Sequence, residues 1–224
     1  MRQLILLFAL CFVTIGAYSQ DKPFSFGIKA GANLSNMDVE HSDTKAKVGY
    51  QFGFVGEINL PNSFFLQGNL LLTSKGFKTD RSGVCDINYD GYEDEATVKM
   101  SWNALYLKLP VMIGYKINVT DNLKINFSAG PHIAYGIGGK ITTKVDARLK
   151  YQSGDEIVKD KDKTDTFSDT SLKRFDAGLT GIVAVECNRL VFNIGYDYGL
   201  ANISQGSNSI HNRNAFVTLG YRLF

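Results

Sequence analysis

Three observations predict an all-β chain folded as an eight-stranded antiparallel up-and-down transmembrane β-barrel. Past the first residues, apolar and polar side chains alternate with period two, and no segment sustains a 3.6-residue pattern. The connections between the alternating segments are strictly long and short in turn. One face of the alternation is a band of Leu, Ile, Phe and Tyr, while the other mixes glycine and asparagine with charges.

The chain opens Met1-Arg2-Gln3, runs apolar from Leu4 to Ala17, and places small residues at Ala17 and Ser19 before Gln20. A positive start, a short apolar core and small residues at the −3 and −1 positions are the pattern of a secretory signal peptide, removed after Ser19. The expected division is 1–19 signal peptide and 20–224 a single barrel domain. The apolar run is short of the roughly 20 residues a helix needs to span a bilayer. Cys11 lies within that run and lacks the small residue expected before a lipidated cysteine.

The first strand, 24–34, sets Phe24, Phe26, Ile28, Ala30, Ala32 and Leu34 against Ser25, Gly27, Lys29, Gly31 and Asn33. The same rule gives strands at 48–60, 64–76, 101–116, 122–137, 174–186, 189–200 and 213–224. Pro61-Asn62-Ser63, 117–121 and Cys187-Asn188 are the short connections; 35–47, 77–100, 138–173 and 201–212 are the long ones. Tight turns then line one rim and four long loops crowd the other. The third long loop, charged from Asp155 to Asp169, is expected to be mobile and able to order on a partner.

Alternation alone leaves open which face points inward. In a secreted, lipocalin-like carrier the apolar face would surround a hydrophobic ligand; in a membrane barrel it would face lipid. The polar face carries Lys29, Glu57, Lys75, Lys108, Lys116, Lys124, Asp176, Glu186, Asp197 and Arg222. Opposite charges among small residues suit the narrow interior of an eight-stranded barrel, where Gly27, Gly31, Gly53, Gly130, Gly136, Gly178 and Gly195 make room for longer side chains. Tyr50, Phe52, Phe64, Phe65, Trp102, Tyr115, Tyr135, Phe175, Tyr196, Tyr198 and Tyr221 lie mostly towards strand ends, as two interfacial girdles would. The membrane barrel is the better reading, with paired charges filling the lumen. A net charge of +2 gives no basic field for nucleic acid.

Several stretches resemble the PorT-like outer-membrane β-barrel proteins of Gram-negative bacteria. They are Phe26-Gly27-Ile28-Lys29-Ala30-Gly31-Ala32-Asn33-Leu34-Ser35, Leu105-Tyr106-Leu107-Lys108-Leu109-Pro110-Val111 and Ala129-Gly130-Pro131. Arg174-Phe175-Asp176-Ala177-Gly178-Leu179 and Gly220-Tyr221-Arg222-Leu223-Phe224 complete the resemblance. It implies a noncatalytic barrel in the outer membrane, in contact with its lipid, assembled by the barrel-assembly machinery. The implied work is structural or adhesive, or that of a subunit in an envelope or secretion assembly. Two positions depart from the family pattern: Asn69 stands where an inward Glu is expected, and Phe224 shares the phase of Arg222 and Gly220 rather than of the apolar row Val217, Leu219, Tyr221 and Leu223.

One motif suggests a metal. Asp86-Ile87-Asn88-Tyr89-Asp90-Gly91 reproduces the start of a calcium loop, in which alternate oxygens converge on one ion. The twelfth position is Thr97 rather than Glu, and neither flank is helical in pattern, so this is no EF-hand. Asp86, Asn88, Asp90 and Glu95 are the candidate ligands; the competing and favoured reading is an acidic, solvated loop. No other cofactor is expected. His132 is placed inward, with a satisfied hydrogen bond as its expected role. His41 and His211 share the long-loop rim without a third ligand. Ser207, Ser209 and His211, close in sequence with Asp residues abundant in other loops, are the grouping that would suit a lipid-acting enzyme, the remaining alternative, and no base-orienting partner is evident. Cys85 in a long loop and Cys187 in a short turn should lie about a membrane thickness, roughly 30 Å, apart and unable to bond.

Overall fold

The computed structural model describes residues 24–39, 44–85, 94–151, 154–167, 172–206 and 209–224. The expected signal peptide, 1–19, lies outside them. Ten strands follow one another: β1 (Phe24–Val39), β2 (Lys45–Asn59), β3 (Phe64–Lys75), β4 (Phe77–Cys85), β5 (Asp94–Thr120), β6 (Leu123–Tyr151), β7 (Gly154–Asp165), β8 (Phe175–Cys187), β9 (Leu190–Gly199) and β10 (Ile210–Arg222). Eight of them close a ring, β1-β2-β3-β5-β6-β8-β9-β10, with β10 returning antiparallel to β1 from Gly27↔Arg222 to Val39↔Ile210. Closure leaves the ring without an edge, so its backbone groups pair within the wall.

All eight expected strands are present, but two of the long connections are not loops. β4 continues the line of β3 past Gly76 and pairs with β5 from Lys78↔Ser101 to Cys85↔Asp94. β7 pairs with the far half of β6 from Lys140↔Asp165 to Tyr151↔Gly154. With β5 and β6 also paired there, β4-β5-β6-β7 form a four-stranded sheet that rises beyond the long-loop rim. The segment expected to be mobile is therefore largely a hairpin. Its period two is written in charge, with Lys159, Lys161 and Lys163 on one face and Asp160 and Asp162 on the other.

The wall's faces follow the sequence alternation. In β8 exposed and buried residues alternate from Phe175 to Cys187 almost without exception. Ile28, Phe54, Leu70, Leu107, Ile113, Ile133, Leu179, Ile194 and Leu219 are each 43–59% exposed on the outside. A contiguous apolar belt of this extent around the whole wall is a lipid-facing surface, since soluble monomers rarely expose such patches. Aromatics flank it. Phe64 and Tyr115 meet edge to face at 5.2 Å on the short-turn side, and Tyr50, Tyr135, Phe175 and Tyr198 lie towards the other rim. Two of the expected girdle residues face the other way: Phe65 is buried inside, and Trp102 stacks on the buried Phe77 at 5.3 Å. Both sit on the inward phase of their strands, which their residue type alone did not reveal.

The end of the chain corrects a second expectation. Phe26 receives hydrogen bonds at its carbonyl from both Leu223 N–H (2.8 Å) and Phe224 N–H (3.5 Å), and its own N–H donates to the Phe224 carbonyl (3.0 Å). Two residues thus oppose one, as in a β-bulge. The extra residue moves Phe224 off the inward phase: its ring is 58% exposed and stacks on Phe26 at 5.8 Å, which in turn stacks on Phe54.

Candidate functional site

The inward-facing side chains form layers across the barrel. At the long-loop mouth Met37, Phe77, Ala104, Tyr106, Ala134, Phe167, Leu172 and Ile203 make a buried apolar cluster. Phe167, Leu172 and Ile203 come from the long connections and fold back over the opening. Phe167 packs edge-on against Tyr106 at 5.4 Å and lies over Gly136, where a Cβ would meet its ring at 2.2 Å. Thr166 secures this return: its hydroxyl donates to the Asn103 carbonyl at 2.6 Å and its N–H to the Gly139 carbonyl at 3.2 Å.

Beneath that cluster lies the first charged layer. Lys108 donates to Asp197, and Lys75 lies 3.6 Å from Asp176 and 4.0 Å from Asp197. Asp197 also accepts from Thr180 Oγ1 (2.8 Å) and Asn214 Nδ2 (3.0 Å), and Asp176 accepts from Asn212 Nδ2 (2.8 Å). His132 Nδ1 lies 3.0 Å from Thr180 Oγ1. Because the Thr180 proton is directed at Asp197, the imidazole must be the donor in that contact, which assigns its proton to Nδ1. A hydroxyl lying between carboxylate and imidazole reverses the order of a nucleophilic triad, in which the imidazole occupies the middle. The expected hydrogen bond of His132 is thus formed at one ring nitrogen.

An apolar layer of Met112, Ile182, Ala184 and Phe216 follows. Phe216 packs over Gly195, where a Cβ would come within 2.3 Å of its ring, and the Lys108 Nζ lies 5.3 Å above the Phe216 ring. The second charged layer is near the short turns. Lys116 donates to Glu57, and Arg222 bridges Glu57 at 3.1 Å and Glu186 at 2.8 Å. Lys124 is in register with Glu186 at this end and is half-buried. Lys29 lies beside a cavity of about 40 Å³ between the layers, a volume that suits a water molecule or two rather than a hydrophobic ligand. Among the described residues no carboxylate lies within ion-pair distance of Lys29, although it is only 5% exposed. Nine of the ten charges predicted to point inward are buried or ion-paired inside the wall, and Lys124 stands half-buried at its short-turn end.

The other sequence candidates are not drawn together. Asp86, Asn88 and Asp90 lie outside the described residues; Glu95 is exposed near the start of β5, in register with Val84 and Arg148. Among the described residues no group of three or more His, Cys, Asp or Glu could hold a metal ion. His41 and Ser207 also lie outside the described residues. His211 Nδ1 is 3.1 Å from the Ala201 carbonyl, and Ser209 Oγ accepts from Asn202 Nδ2 at 3.4 Å. Cys187 is exposed at the short-turn end of β8, and the Cys85 backbone belongs to β4, beyond the opposite rim. Sequence reading missed the apolar lid: Phe167, Leu172 and Ile203 are isolated apolar residues in polar segments, the one signal that could have found them.

A closed β-barrel with an apolar outer belt and a polar, ion-paired interior is an outer-membrane protein of a Gram-negative bacterium. Residues 18–205 match the family model of the outer membrane protein beta-barrel domain, and the chain belongs to that family. It is similar to solved structures at low identity. Ail, the attachment invasion locus protein of Yersinia pestis, is 12% identical with a TM-score of 0.40, covering 89% of this chain and 98% of that one. Neisserial surface protein A is 12% identical with a TM-score of 0.38, covering 88% and 95%. A comparison with curated proteins finds no match.

Proposed function

We propose that this is a noncatalytic, non-conducting barrel of the PorT-like kind, delivered by a signal peptide cleaved after Ser19, whose work lies outside the membrane. It is a structural or adhesive surface protein, or a subunit of an envelope or secretion assembly. The observation that carries the reading is the succession of layers across the lumen: the apolar lid, the Lys75–Lys108–Asp176–Asp197 cluster, the Phe216 layer and the Glu57–Lys116–Arg222 cluster. Oppositely charged pairs and aromatic rings fill the space a solute would need. What remains for interaction is the rising sheet and the long connections at the outer rim. The expected result in planar lipid bilayers is an insertion that yields no stepwise conductance; reproducible single-channel steps from the purified, heat-modifiable protein would sink the reading.

The partner in assembly is the barrel-assembly machinery, and the bulge at Phe224 supports that assignment by turning this aromatic ring outward. Phe224→Ala should reduce the heat-modifiable form in outer membranes several-fold. The same variant should refold in detergent almost as well as the parent, because an exposed ring contributes little to the interior. Equal loss in both experiments would make the residue structural instead.

A further inference from the structure

The sheet beyond the rim carries its lysines on one side. Register partners in a sheet share a face, so the face that continues the lipid-facing wall can be followed upward from Leu107 and Leu105. Lys140 stands in the first row above Leu105, opposite Asn103. Lys78 and Lys163 occupy the second row, joined through Ser101 and Thr142. Lys99, Lys144 and Lys161 stand side by side in the third.

Asp80, Asp146, Asp165 and Glu95 share this face with them, Glu95 in one row with Arg148. Asp80 is bound by Lys45 at 2.8 Å, and that contact holds its carboxyl below the ordinary value. Asp146 lies 3.9 Å from Lys99, and Asp165 is the register partner of Lys140 without forming an ion pair to it. Among the described residues Lys78, Lys140, Lys144, Lys161 and Lys163 have no carboxylate within ion-pair distance. The opposite face, which looks over the barrel mouth, is different: Val98, Met100 and Val145 line its centre, with Arg81 beside Val98 and with Asp160 and Asp162 at the far edge.

We propose that the basic face binds the phosphate-bearing head groups of outer-leaflet glycolipid and holds them against the barrel. Rows on one face of a strand are about 7 Å apart. The lysines therefore begin one row above the apolar belt and rise through the zone of head-group phosphates and sugars. An anionic lipid can reach only the outward face of a barrel, whereas a dissolved polyanion would meet the mouth-facing side equally. The lysines are confined to the outward side, continuous with the surface that already contacts lipid. Each lysine held near an anionic leaflet strengthens association by about fivefold.

The test uses the full-length mature barrel in neutral detergent micelles and fluorescently labelled lipid A, with its phosphates intact or enzymatically removed. Fluorescence anisotropy should show at least tenfold tighter binding of the phosphorylated form. Combining Lys78→Gln, Lys144→Gln, Lys161→Gln and Lys163→Gln should weaken it at least tenfold, while Arg81→Gln on the opposite face leaves it within twofold. Heat-modifiable migration verifies folding, and the Lys144→Gln, Lys161→Gln pair, expected to weaken binding at least threefold, serves if the fourfold variant does not fold. Equal affinity for the two lipid forms, or no change in a folded variant, would overturn the proposal. Labelled dextran sulfate binding as tightly as phosphorylated lipid A would also overturn it and assign the face to a dissolved polyanion.

Discussion

Asp197→Ala is expected to destabilise the barrel by about 3–5 kcal/mol, the usual consequence of removing one partner from a buried ion pair. The carboxylate accepts from Lys108, Thr180 and Asn214 and lies 4.0 Å from Lys75. Its removal leaves Lys108 buried without its nearest counter-ion and Thr180 without its acceptor, and Lys75 must rely on Asp176 alone. The cost comes from these stranded groups more than from the lost attraction. Lys29→Met supplies the contrast. Lys29 is equally buried but has no carboxylate at ion-pair distance, so an apolar side chain of similar length should leave stability unchanged or raise it. Equilibrium urea unfolding in lipid vesicles measures both. An Asp197→Ala variant within about 1 kcal/mol of the parent would mean that water, not the ion network, satisfies the lumen. A Lys29→Met loss as large as that of Asp197→Ala would show that Lys29 is held by interactions as strong as those of Lys108.

The wall was legible because lipid outside and a narrow polar lumen inside impose opposite chemistries on alternate residues. Lys29, Glu57, Lys75, Lys108 and Asp197 could be assigned to one face by counting, and their burial agrees. Counting failed beyond the rim. There both faces of a strand meet water, so β4 and β7 lose hydrophobic alternation and keep only the charge alternation of segments such as Lys159 to Lys163. It failed at the lid for a different reason. Phe167, Leu172 and Ile203 reach the mouth through irregular backbone, and no periodicity ties them to Tyr106 or Met37. It failed at Phe224 because a bulge changes phase by one residue, and nothing in Tyr221-Arg222-Leu223-Phe224 announces the bulge. The ion pairs themselves were not legible either: the sequence supplied the inward charges, but only register and twist decide that Lys108 meets Asp197 and Arg222 meets Glu57.

Gly31→Val is expected to prevent barrel closure. Gly31 lies on β1 opposite Thr218 of β10, at the seam where the first and last strands meet. A Cβ there would stand 2.0 Å from the Val217 carbonyl oxygen and 2.6 Å from the Thr218 Cα. Those are backbone atoms, so no side-chain rotation can relieve the overlap and the two strands must separate. Separation breaks ladder hydrogen bonds in surroundings with no water to replace them, a heavier penalty than overpacking in a soluble core, which typically costs about 1–3 kcal/mol. Gly31→Ala already carries the offending Cβ and should lose most of the heat-modifiable form, with Gly31→Val losing all of it. Gly181→Ala is the control, since a Cβ at that position on β8 meets nothing within 4 Å. Refolding all three into detergent and comparing boiled with unboiled migration separates the cases. Normal closure of Gly31→Val would mean that the β1–β10 seam is wider than the observed register allows. Failure of Gly181→Ala would mean that glycine is needed in the wall for reasons other than close approach. β1 and β10 are the strands farthest apart in sequence, and their pairing is the one that closes the ring. A side chain that opens this seam should therefore leave an incomplete sheet with two exposed edges rather than a slightly weaker barrel.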